Sequence, residues 1–192
     1  MGEEGDDTAG TGDRQWIVDP LDGTVNFLYG VPQWGVSIAL EDAEGGLVGV
    51  VFDPMREELW AGARGGRPTL NGEPIAARSP ESLDTALVAT GFGYDAAVRD
   101  AQGAHIARLL SRVRDIRRAG AAALDLAWVA GGRLDAYFER GVKPWDVAAG
   151  ALLCRLAGVE VHRLEPDPPA DAGILAAPSA IAAELLAFTA HD

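Results

Sequence analysis

Residues 19 to 24 read Asp19-Pro20-Leu21-Asp22-Gly23-Thr24, two carboxylates three positions apart, separated by a proline and closed by Gly-Thr. They follow the apolar run Trp16-Ile17-Val18, which reads as the end of a buried strand, so the acids are expected where the ladder stops. Pro20 has no amide hydrogen and a fixed φ, and Gly23 allows a turn that a Cβ would resist. Such a turn points both acids one way. It leaves the Gly23 and Thr24 amides free, and unpaired amides in a turn suit phosphate oxygens. One loop would then hold cations and a phosphate together. Asp, Pro and Gly are also ordinary turn residues, and an acidic surface turn explains the hexapeptide taken alone equally well.

Two other acidic stretches have suggestive settings: Asp146, after Lys143-Pro144-Trp145 at a helix start, and Glu3-Glu4, after a glycine. Asp146 taken alone is also what a helix dipole favours in a first turn. If folding gathers these acids, each pair at ~4 Å costs about 4 kcal/mol at an effective dielectric of ~20. Divalent cations would remove that repulsion. Carboxylates and a backbone carbonyl are hard ligands suited to Mg²⁺ or Mn²⁺, whereas zinc prefers His and Cys. His105, His162 and His191 are widely separated, which gives little support to a histidine metal cluster or a Ser-His-Asp triad.

A formal charge of −13 argues against a nucleic-acid partner, because sequence-independent affinity for a phosphate backbone comes from clustered Lys and Arg. An acidic chain acting on an anionic substrate needs cations. The 192 residues, 48% of them hydrophobic, suffice for one globular domain over 1–192. The single cysteine, Cys154, excludes an internal disulfide, is expected in the core, and fits a reducing, cytoplasmic setting. No apolar stretch approaches a membrane span, and the N-terminus opens with acids rather than a basic signal region, so no membrane partner is expected.

The elements that must position the acids follow from periodicity. Residues 1 to 15, acidic and glycine-rich, read as a flexible tail, and residues 26 to 32 as a loop with aromatics. Trp34 to Leu40, Leu47 to Phe52 and Glu58 to Ala63 are β-prone runs broken by turn residues, the pattern of an antiparallel meander, and Asn71-Gly72 adds a hairpin. Leu83 to Thr90 reads as a further strand and Ala96 to Val113 as an amphipathic helix. A short strand at Asp115 to Arg118, a helix from Ala121 to Ala130 and a strand from Leu134 to Phe138 come next, with a turn at Glu139-Arg140-Gly141. Pro144 stands at the start of a helix that continues from Asp146 to Ala157. Val159 to Val161 and Ile174 to Ala176 read as strands, and Ser179 can cap a last helix over Ala180 to Thr189. Strands first, then alternating helices and strands, suggest a layered α/β domain with at least one mixed sheet.

Taken together, these stretches resemble the inositol monophosphatase family. Trp16 to Phe27 is similar to its first signature and Lys143 to Gly150 to its second, in the right order and separation. Gly2-Glu3-Glu4 resembles the Gly-Glu-Glu that precedes the first signature, and Gly120 to Leu126 the segment before the second. The resemblance implies a layered αβαβα sugar-phosphatase-like sandwich, a homodimer, and Mg²⁺-dependent hydrolysis of a small phosphorylated polyol, inositol monophosphate first. Val25 after Thr24 favours that branch over nucleotide phosphatases, which often have a basic residue there, while histidinol phosphate and fructose bisphosphate remain alternatives. It also implies that Glu3, Asp19, the Leu21 carbonyl, Asp22 and Asp146 hold two or three Mg²⁺ ions, with Mn²⁺ as a substitute. Gly23 and Thr24 amides would bind phosphate, Thr24 would orient the attacking water, and Glu139 and the Ala122 backbone would meet substrate hydroxyls.

Two departures accompany it. Ala121 stands where the family usually has Ser or Thr, which removes a hydroxyl expected near the substrate. Family members also carry a helical segment before the Gly-Glu-Glu stretch, on which this chain nearly starts, so the first helical layer is expected to be missing. A catalytically weak homologue serving as a binding or regulatory subunit is the rival expectation.

Overall fold

A computed structural model describes residues 1–3 and 12–189 of the chain. Glu4, His191 and the greater part of the expected flexible tail lie outside the described residues.

The first half of the chain alternates apolar and polar residues between turn signals, and it folds into a six-stranded antiparallel sheet in sequence order. Its strands are β1 (Gln15–Asp22), β2 (Gly35–Asp42), β3 (Gly45–Asp53), β4 (Glu58–Ala63), β5 (Thr69–Leu70) and β6 (Glu73–Pro74). Ile17, Ala39, Val51 and Trp60 point to one face and are buried. On the other face Trp16 and Leu59 remain 58% and 43% exposed among the described residues, as the period of two requires of a sheet covered on one side. Asn71 and Gly72 both have positive φ, 50° and 86°, which matches the twist of a tight hairpin between β5 and β6.

A short helix, α1 (Thr24–Leu28), joins β1 to β2 where a loop was expected, and Phe27 packs edge-on against Trp34 with ring centroids 5.1 Å apart. The second half alternates helix and strand: β7 (Leu87–Thr90), α2 (Ala96–Leu109), β8 (Asp115–Arg117), α3 (Ala122–Ala130), β9 (Ala136–Arg140), α4 (Pro144–Leu156), β10 (Glu160–Leu164), β11 (Gly173–Ala177) and α5 (Ser179–Thr189). These strands form a mixed sheet of order β10-β11-β9-β7-β8, with β7 parallel to β8 and β9 and the other pairs antiparallel.

Helices α3 and α4 lie between the two sheets. That position explains why α3 is apolar nearly all round and buried along almost its whole length. Its core joins Ile17, Val51 and Trp60 of the first sheet to Tyr137 and Ile174 of the second. A second core on the far face of the mixed sheet packs Val88, Phe138 and Leu175 against Leu109 of α2 and Leu185 of α5. The two inner helices touch at Gly150, where a Cβ would come within 2.5 Å of Leu126 Cβ. The described residues thus form the layers sheet, helices, sheet, helices, and none of their helices is long and apolar enough to cross a membrane.

Three boundaries differ from expectation for tertiary reasons. The run Leu83 to Thr90 begins with a 3-10 turn, Leu83–Thr85, and only Leu87–Thr90 pairs as a strand. The amphipathic helix stops at Leu109, and Val113 is buried beyond it in the second core. Glu139 and Arg140, expected in a turn, belong to β9, because Glu139 pairs with Ile174 and Arg140 with Gly173 of β11.

Candidate active site

Strand β1 does not end at Val18 but runs to Asp22 through an irregularity. Asp19 pairs with Ser37 and Asp22 with Gly35, so three steps on β1 oppose two on β2. In a regular strand two residues three apart face opposite sides, and one extra residue returns them to the same side. The bulge, rather than a turn, therefore aims both acids inward. Pro20 is tolerated within it because β1 is an edge strand of its sheet.

Each acid is held by an amide. The Leu21 amide donates to Asp19 Oδ1 at 2.9 Å, and the Ala123 amide, in the first turn of α3, donates to Asp22 Oδ2 at 2.7 Å. Asp146 sits in the first turn of α4 behind Pro144, and its Oδ2 accepts from the Lys143 amide at 2.6 Å. That helix start is tied to the first sheet by Ser37, the β2 partner of Asp19, whose Oγ donates to the Trp145 carbonyl at 3.0 Å.

These contacts bring Asp19, Asp22 and Asp146 together, with one ligand oxygen from each within 4.8 Å of the others. Glu3 arrives from a different direction. Gly2 forms a parallel bridge with Val18, the Val18 amide donates to the Met1 carbonyl at 3.1 Å, and Glu3 hydrogen-bonds Asp19 at the rim. Burial, above all, raises the Asp19 carboxyl pKa, with the Asp146 charge adding to it against the Leu21 amide. Asp22 is raised further, first by burial and then by Asp19, Asp146 and Asp125, opposed by the Ala123 amide. Asp146 is raised by burial and by Glu3. Lys143, the only lysine of the sequence, pairs with Asp171 at 3.8 Å and lowers the Asp146 pKa only as a minor contribution. Three hard carboxylates that repel one another, with the Leu21 carbonyl beside them, fit a divalent cation such as Mg²⁺ or Mn²⁺.

The acids open into a cavity of about 530 Å³ that Gly23, Thr24, Ala122 and Glu139 also line. Gly23 has a φ of 89°, which a side chain would resist, and it hands the chain to α1. The first amides of a helix have no acceptor within it, so Thr24 begins α1 with its amide available. The Thr24 hydroxyl donates to the Leu21 carbonyl at 3.0 Å. Ala121 is buried, and a Cβ on Gly23 would sit 3.3 Å from the Ala121 methyl, so Ala121 packs behind the Gly23-Thr24 turn and does not line the cavity. Ala121 also leaves α3 without a side-chain oxygen at its N-cap.

Several residues escaped sequence reasoning. Asn26 Nδ2 donates to the Gln33 carbonyl at 2.7 Å and the Ala119 carbonyl at 2.9 Å, locking α1 to the segment before α3. The Arg118 guanidinium, 6.0 Å from the Phe92 ring centroid, brings a cation to the cavity wall. Tyr137 lies behind Glu139 on β9; it stands within the expected strand Leu134 to Phe138, and a period of two ties it to Glu139 once that strand runs one residue further.

A layered α/β sandwich whose inner helices and edge strand gather acids beside an amide turn defines a phosphatase. The chain is 43% identical over 197 residues to the inositol-1-monophosphatase of Mycobacterium bovis, covering 97% of this chain and 68% of that protein. It is 46% identical over 158 residues to the Nus factor SuhB of Escherichia coli K12, covering 81% of this chain and 59% of that one. The solved inositol monophosphatase of Anabaena matches with a TM-score of 0.88 at 38% identity, over 98% of this chain and 76% of that one. The profile of the inositol monophosphatase family matches residues 1–192, and the chain belongs to that family. The family is metal-dependent, and the acidic triad is where this chain can hold a metal.

Proposed function

We propose that this phosphatase hydrolyses a small polyol phosphate, with inositol monophosphate the first choice and Mg²⁺ the working cation. The observation that carries the reading is the meeting of Asp19, Asp22 and Asp146 within 4.8 Å, in the cavity that the Gly23-Thr24 turn also lines. Asp19, Asp22, Asp146, the Leu21 carbonyl and Glu3 would hold two or three ions. When bound, divalent cations supply Lewis acidity toward the phosphate and the attacking water.

The remaining roles belong to the chain. Gly23 and Thr24 amides receive phosphate oxygens, as unpaired amides at a helix start do. Thr24 Oγ1 has committed its hydrogen to the Leu21 carbonyl, so it is left to accept a hydrogen from the attacking water, whose own lone pair is then turned toward phosphorus. Asp22, anchored by the Ala123 amide, is kept from swinging out of the cluster. Glu139 would accept from substrate hydroxyls, and the Ala122 amide would donate to one, a reading supported by the position of Ala122 at the start of α3 and of both residues on the cavity wall.

The test is a panel of phosphate monoesters with Mg²⁺, inositol 1-phosphate, histidinol phosphate and fructose 1,6-bisphosphate among them, run beside calorimetric Mg²⁺ titration of Asp146→Ala. Turnover of the inositol ester, and a large loss of Mg²⁺ affinity in the variant, are expected. If Asp146 served only the helix dipole, its removal would cost about 0.3 to 1 kcal/mol of stability and leave Mg²⁺ affinity unchanged. A second reading, a binding or regulatory subunit without turnover, draws on the Escherichia coli relative that is called a Nus factor. It wins if no ester is hydrolysed.

A further inference from the structure

Glu139 reaches the cavity from β9 and is gripped from two sides. Tyr137, two residues earlier on the same strand face, is fully buried, and its hydroxyl donates a 2.7 Å hydrogen bond to Glu139 Oε2. From the other side the carboxyl lies against Gly91, just past β7. The parallel pairing of Thr90 with Phe138 brings the next residue of each strand side by side. A Cβ on Gly91 would overlap the whole Glu139 carboxyl, so the acid occupies space that any other residue would fill. The Tyr137 bond falls on Oε2 and leaves Oε1 to other donors.

We propose that Tyr137 and Gly91 are positioning residues that fix Glu139 as the reader of substrate hydroxyls, so that preference for a polyol phosphate over an ester lacking hydroxyls depends on the Tyr137 hydroxyl. This rests on the polyol-phosphatase reading above. A tyrosine hydroxyl has one hydrogen to give, and here it goes to Oε2. Oε1 is thereby left as the acceptor facing the cavity, in the rotamer that Gly91 makes room for. A site built to accept a hydroxyl hydrogen bond rejects a ligand without that hydroxyl, because its own buried polar group is left unpaired. Burial, with the Asp146 charge adding to it, raises the Glu139 carboxyl pKa, and the Tyr137 hydroxyl and the Arg118 guanidinium offset part of that rise.

The experiment compares kcat/KM for inositol 1-phosphate and for phenyl phosphate, with Mg²⁺, in the wild type, Tyr137→Phe and Gly91→Ala. The ratio of the two is expected to fall about tenfold in Tyr137→Phe, the size of one lost hydrogen bond to a charged group, carried mainly by KM for the inositol ester. Gly91→Ala is expected to lower the same ratio from the other side. In a Glu139→Ala background, Tyr137→Phe should change the ratio no further, since residues acting through one group are not additive. Equal losses on both esters, an unchanged ratio in Tyr137→Phe, or additive effects with Glu139→Ala would each overturn the proposal. If the wild type hydrolyses neither ester, the polyol-phosphatase reading fails, and calorimetric binding of the same two esters decides the role of Tyr137. There, a tenfold affinity loss for the inositol ester alone supports it, and an equal loss for both or none overturns it.

Discussion

Asp22 Oδ2 accepts the Ala123 amide at 2.7 Å across 101 positions of sequence. Helix α3 begins at Ala122 with Ala121 at its N-cap, a residue with no side-chain oxygen to give, so the orphan amide of the first turn takes its acceptor from the edge strand of the other sheet. One carboxylate thus closes a helix and keeps its second oxygen for the acidic cluster. Stability and chemistry meet in it.

Replacing Asp22 separates the two duties. Asp22→Asn keeps an oxygen for the Ala123 amide and loses the charge, whereas Asp22→Ala loses both. Each should lower turnover by at least about a hundredfold. In chelator, Asn should melt about 2 to 4 °C above Ala, the equivalent of one cap at ~1 kcal/mol. Equal melting temperatures would show that the cap contributes nothing.

The acidic cluster should make the metal-free fold prefer acid. Asp19 has a carboxyl pKa raised first by burial and then by Asp146. A raised pKa stabilises the fold below the unfolded value, about 3.9, and that contribution is lost as pH rises through the folded value. Relative to Asp19→Asn, wild type in chelator should therefore lose thermal stability between about pH 4 and neutral. Asp19→Asn should itself be inactive yet at least as stable at neutral pH. Mg²⁺ should stabilise the wild type increasingly over the same interval, because its ligands must be ionised. A Mg²⁺-induced rise that stays flat with pH would contradict the metal assignment.

Packing between the inner helices should be felt at the site. Gly150→Ala drives a methyl into Leu126 and is expected to destabilise by about 1 to 3 kcal/mol. Because α4 also carries Asp146, Mg²⁺ affinity should fall as well. Adding Leu126→Gly, which removes the Cβ that the new methyl meets, should restore part of both, so that the double variant loses less than the sum of the single ones. Chemical denaturation and Mg²⁺ titration of the four proteins measure it.

Cys154 offers an alkaline test of the same interface. Its thiol is fully buried and donates to the Leu126 carbonyl at 3.2 Å, and burial pushes its pKa up to about 12. The unfolded thiol ionises near ~8.5, so this stabilisation is complete below that pH and is lost as pH rises toward the folded value. The stability advantage of the wild type over Cys154→Ala should shrink by about 1.4 kcal/mol per pH unit above ~9. A constant difference from pH 8 to 11 would refute it.

The sequence by itself determined what depends on near neighbours. Alternation placed β2, β3 and β4 within a few residues, Asn71-Gly72 made its hairpin, Pro144 opened α4, and the two signatures carried the family. These follow from backbone sterics and from the period of burial, both of which are legible over a few positions. Tertiary structure alone decided the rest. Asp19 and Asp22 face one way because the register against Ser37 and Gly35 slips by a residue, and register is set by the partner strand. Glu139 became a strand residue only because Ile174 lies beside it. Ala121 turned its methyl toward Gly23 because α3 is wedged between two sheets, and Tyr137 reached Glu139 only once β9 was extended. In each case the deciding contact lies far along the chain from the residue it places. Such contacts form only when whole layers pack, so the composition of a local window carries no trace of them.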